Sequence, residues 1–99
     1  MALYQVRMLD SVTGAEGSYT FEHRDDLLKR PADDIVAAFF EYADREIFDR
    51  GHHVGYELNG VVKNKKQGSV VAIGSMYVDD QRDEEDMRPF TLFIAAKAR

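Results

Sequence analysis

Apolar and polar positions alternate along "ALYQVRML", residues 2–9, with Tyr4, Val6 and Met8 on one side and Gln5 and Arg7 on the other. A period of two predicts a half-buried strand. "DSVTG" then supplies turn chemistry, with Asp10 and Gly14 at its ends. "GSYTFEH", residues 17–23, alternates again and completes a hairpin. After the connecting stretch "RDDLLKR" the period changes. Pro31 sits where a helix can begin, since the first turn does not need its missing N–H, and Asp33 and Asp34 complement the positive end of the helix dipole. Ile35, Val36, Phe39, Phe40, Tyr42, Ala43 and Ile47 fall on one broad helical face. Glu41 and Arg45, and Glu46 and Arg50, stand four apart in the favourable order, and Gly51 can close the helix.

Beyond the helix, "VGYELNGVVKNK" places Val54, Tyr56, Leu58 and Val62 on one face, with Glu57, Asn59 and Lys63 opposite. "NKKQG" is a polar turn. "SVVAIGSMYV" is apolar on both faces, which suits a central strand. "DDQRDEEDMR" is a solvated loop, and Pro89 opens a final strand, "FTLFIAA". The order strand, strand, helix, strand, strand, strand predicts an α+β fold. Its sheet is five-stranded and largely antiparallel, with one amphipathic helix on one face. At 99 residues the chain has room for one core, so residues 1–99 are expected to form a single domain.

Five strands span about 24 Å at their usual spacing, whereas one helix with its side chains covers about 10–12 Å. Val6, Phe21, Leu58, Ile73 and Leu92 mark an apolar inward register on every strand, and Val61, Val70 and Phe93 load the opposite face. Unless the sheet curls around the helix, apolar surface is left over. Such surface signifies association or a ligand groove. The expected outcome is a homodimer formed through the sheet, with Val61, Val70 and Phe93 as its partner-binding candidates.

Charge refines that picture. The net charge is −5, and residues 31–50 hold six acids against two bases. Such a surface suits a basic protein partner and weighs against nucleic acid or an anionic membrane. Lys63, Lys65 and Lys66 form one small basic tip, too little for a nucleic-acid face. The longest apolar run, "IVAAFF", is far short of the ~20 residues that cross a bilayer. With no secretory signal pattern at the N-terminus, a cytoplasmic location is the default expectation.

Candidate chemistry is sparse. The chain has no cysteine, which removes disulfides, thiolate metal sites and a cysteine nucleophile. No serine sits in a nucleophile elbow and no glycine loop cradles phosphate. His52 and His53 adjoin Gly51. In an extended segment they diverge, and Glu57 lies roughly 13 Å along the strand from His53, too far to share one metal ion. Glu46 falls near the middle of the apolar helical stripe, where a buried carboxylate would have a raised pKa. No metal or cofactor is expected. The leading reading is a non-catalytic interaction or regulatory domain that self-associates through its sheet. The alternative is a small enzyme or ligand-binding domain with a helix–sheet cleft near His23, Glu46, His52 and His53.

Overall fold

In the computed structural model, which describes residues 1–10, 14–47, 54–78 and 87–97, the first two alternating segments become β1 (Ala2–Asp10) and β2 (Glu16–His23). They pair antiparallel from Ala2 opposite His23 to Leu9 opposite Glu16. The turn is held by the Asp10 carbonyl, which accepts the Gly14 amide at 2.8 Å. The chain then makes one 3-10 turn, Leu27–Lys29, and enters α1 (Ala32–Glu46). Pro31 stands at the N-cap with its carbonyl accepting the Asp34 and Ile35 amides. β3 (Val54–Asn64), β4 (Ser69–Val78) and β5 (Arg88–Ala96) follow. Among the described residues the fold is therefore α+β in ββαβββ order, with one α-helix and a five-stranded antiparallel sheet.

Strand order is β2-β1-β5-β4-β3. The N-terminal hairpin thus docks through β1 against the last strand, with Val6 opposite Ile94 and Met8 opposite Leu92. The β3–β4 hairpin closes on Gly68, whose φ of 63° is left-handed and suits glycine. Asn64 organises the same turn: its Oδ1 accepts the Lys66 and Gln67 amides at 3.1 and 3.2 Å.

The expectation of a broad uncovered inner face is corrected by curvature. Phe39 and Tyr42 of α1 reach β2 at one edge, with Phe39 6.2 Å from Phe21 and Tyr42 stacked on Phe21 at 5.5 Å. Phe40 reaches β3 at the other edge, stacked on Tyr56 at 4.2 Å. A helix only about 10–12 Å wide can touch both edges of five strands only if the sheet curls around it. Tyr4, Val6, Phe21, Val70, Ala72, Phe90, Leu92 and Ile94 are buried with Ile35, Val36, Phe39 and Phe40, and Tyr56 packs against them from β3. All five strands therefore feed one core.

Candidate functional site: the outer face of the sheet

One extra residue in β3 decides what faces outward. Leu58 pairs with Gly74, but the next pair is Gly60 with Ile73, so Asn59 is a β-bulge. A bulge reverses the alternation beyond it. Val61 accordingly turns inward and packs on the core, while Val62 turns outward and is 70% exposed. Gly74 permits the kink. A Cβ there would lie 2.1 Å from the Glu57 carbonyl oxygen, so the two backbones approach more closely than any side chain allows.

Two of the three partner-binding candidates are corrected by this geometry. Val70 is only 1% exposed and belongs to the core, and Val61 packs against it. Phe93 does lie on the outer face, 39% exposed. Ile73, expected inward, is 53% exposed. β4 places Val70, Ala72 and Gly74 inward. Val71 and Ile73 between them point away.

Register assembles the outward residues into two rows. Val62 pairs with Val71, Val71 with Phe93, Phe93 with Arg7, and Arg7 with Ser18. Alongside run Gly60, Ile73, Thr91, Leu9 and Glu16. The only charges in these rows are Arg7 and Glu16, which form an ion pair at 3.8 Å. Five apolar side chains, Leu9, Val62, Val71, Ile73 and Phe93, are each more than a third exposed. At roughly 200 Å² for such a side chain fully exposed, they leave on the order of 400–500 Å² of apolar surface, in the range that marks functional patches on monomers.

The expected helix–sheet cleft is only partly assembled. His23 lines a cavity of about 320 Å³ with Arg24, Arg30, Asp34 and Glu41 in its wall. The His23 Nδ1 is shielded and has no hydrogen-bond partner among the described residues. Glu46 is not in that wall; it stands exposed on the last turn of α1, so its carboxylate is not a buried acid. Ala43 of that turn is buried and Ile47 just beyond it packs against the core, so Glu46 lies off the buried stripe. His52 and His53, with Arg50 and Gly51, lie outside the described residues.

A second cavity, about 360 Å³, opens beside Phe40, Tyr56 and Tyr77 with Glu41 and Asp44 at its rim. Asp44 Oδ1 accepts the Val54 amide at 3.2 Å and so anchors the start of β3 to the helix. Burial pushes the Tyr56 phenol above its ordinary pKa, and the negative charges of Asp33 and Glu41 add to the effect.

Among the described residues no group of three or more His, Asp or Glu side chains could hold a metal ion. No described helix is long and apolar enough to cross a membrane. Compared with known protein families, curated proteins and solved structures, the chain matches none.

Proposed function

We propose that this chain is a non-catalytic association domain that pairs with a second copy of itself through the outer face of its sheet. The observation that carries this reading is the pair of apolar rows through Val62, Val71 and Phe93 and through Ile73 and Leu9, which no helix among the described residues covers. A second copy suits the surface because the two rows are electrically balanced. Arg7 and Glu16 offset each other, and the −5 of the whole chain is carried elsewhere. Two acidic chains can therefore meet here without bringing like charges into contact. Sheets packed face to face would interdigitate these side chains in a layer about 10 Å thick.

The size of the patch sets the strength. Burying it on both copies removes roughly 1,000 Å² from water, at the lower edge of stable interfaces, so association should be weak, with Kd in the micromolar to millimolar range. Sedimentation velocity from about 10 μM to about 1 mM tests this. The wild type should shift reversibly from monomer toward dimer, and the double variant Val62→Lys and Ile73→Lys should remain monomeric with an unchanged far-ultraviolet spectrum. A wild type that stays monomeric across the range refutes the reading.

A further inference from the structure

The basic hairpin tip is part of a cavity rather than a solvated point. Lys63, Asn64, Lys65, Gly68, Ser69 and Val70 of the β3–β4 hairpin face Leu28 and Lys29 of the 3-10 turn around a space of about 430 Å³. Three of these side chains are lysines, and none is a carboxylate. Three other cavities among the described residues carry carboxylates in their walls: Glu41 and Asp44, Asp34 and Glu41, and Asp10 and Glu16. In a chain of net charge −5 this is a local inversion of sign.

The cavity is also amphiphilic and partly fixed in shape. Val70 is fully buried beneath it, and Leu28 packs on the core from the other side. Gly68 leaves its side of the wall open and keeps the turn close to Leu28, since even a Cβ there would stand 3.9 Å from Leu28 Cδ1. The Lys63 ammonium donates to the Arg30 carbonyl at 2.8 Å, which holds it over the cavity with two N–H donors to spare. Asn64 locks the turn that carries Lys65. A site whose cation and loop are already held loses less entropy on binding. A volume of this order accepts small molecules rather than a chain segment.

We infer that this cavity binds a small amphiphilic anion: a phosphate monoester or carboxylate head joined to a short aliphatic body. The head lies among Lys29, Lys63 and Lys65, where point-charge ammonium groups suit phosphate or carboxylate oxygens. The body lies against Leu28 and Val70. This site stands apart from the outer-face patch and does not depend on self-association.

The test is an amide chemical-shift titration of the whole chain with octyl phosphate, inorganic phosphate and octylamine, and with phosphatidylserine vesicles. Octyl phosphate should give saturable shifts centred on Leu28, Gly68, Ser69 and Val70. Inorganic phosphate should bind at least about tenfold more weakly, since burying even two methylenes is worth that factor. The double variant Lys29→Glu and Lys65→Glu should weaken octyl phosphate by at least about tenfold at low salt, with the rest of the spectrum unmoved. Should that variant perturb the fold, Lys29→Gln with Lys65→Gln replaces it. Absence of saturable shifts, equal binding of octylamine, or unchanged affinity in the folded variant overturns the inference. So does a preference for vesicles over octyl phosphate, which would make the tip a membrane-surface patch instead.

Discussion

Replacing Gly74 by alanine tests the feature on which the outer face depends. The added Cβ would sit 2.1 Å from the Glu57 carbonyl oxygen, 3.1 Å from its carbon and 3.2 Å from Leu58 Cα. All three are backbone atoms, so no side-chain rotation can relieve the contact. Restoring ordinary contact at 3.4 Å requires the strands to separate locally by roughly 1.3 Å. Ladder hydrogen bonds near 2.9 Å would then lengthen beyond any useful distance.

Losing one or two such bonds costs about 1 kcal/mol each, and overpacking a filled interior costs about 1–3 kcal/mol. The sum is about 2–5 kcal/mol, out of a total stability of about 5–10 kcal/mol for a domain of this size. β3 is an edge strand, free to swing outward, which keeps the figure from being larger. Thermal unfolding followed by circular dichroism should show Gly74→Ala lowered by roughly 10–30 °C. Gly60→Ala, across the same bulge, is the control: its Cβ would meet Ile73 Cγ1 at an ordinary 3.8 Å, and its cost should stay within about 1 kcal/mol. A Gly74→Ala protein as stable as the wild type would refute the close approach and with it the bulge.

The two adjacent valines report the reversal directly: Val61→Ser should cost about 1–3 kcal/mol in urea unfolding, while Val62→Ser should be close to neutral. Equal costs would mean that β3 continues its alternation through Asn59. Stability should also fall as pH rises above about 10, the ordinary tyrosine value. Burial raises the Tyr4 and Tyr56 phenols in the folded chain, with nearby Asp25 and Asp26, and Asp33 and Glu41, adding to it, so the unfolded chain loses these protons first. The contribution is complete below that pH and is lost on passing upward through the raised values. Urea midpoints measured from pH 8 upward should decline less steeply in Tyr56→Phe than in the wild type.

Much of the fold could be read from periodicity. The alternation of Tyr4, Val6 and Met8 and the 3.6-residue spacing of Ile35, Phe39, Tyr42 and Ala43 each match a buried face. What periodicity missed was non-local. Nothing in "VGYELNGVVKNK" separates a bulge from an ordinary strand, because Asn59 and Gly60 also read as turn residues. In β4, apolar on both sides, the phase is set by its neighbours, and the usable signal was the small Ala72 and Gly74, the first buried in the core and the second closely approached by the β3 backbone. The curl of the sheet depends on aromatic contacts at both edges, Tyr42 with Phe21 and Phe40 with Tyr56, which join residues remote in sequence. The lysines of the hairpin tip were visible, but their cavity needs Leu28 and Lys29, more than thirty residues away.

The bulge at Asn59 links the two surfaces that carry functional readings. Strict alternation from Leu58 would have turned Val62 toward the core and Lys63 outward, beside Val61. With one residue inserted, Val62 joins Val71 and Phe93 on the outer face. Lys63 then pairs with buried Val70 and swings under the sheet to the Arg30 carbonyl. The same local irregularity removes a charge from the apolar rows and delivers it to the cavity. A bulge also bends and twists the strand that carries it, which suits an edge strand of a sheet curled around its helix. The sorting of valine outward and lysine inward is what the proposed association and the proposed anion site both draw on, so restoring strict alternation by deleting Asn59 should weaken both together.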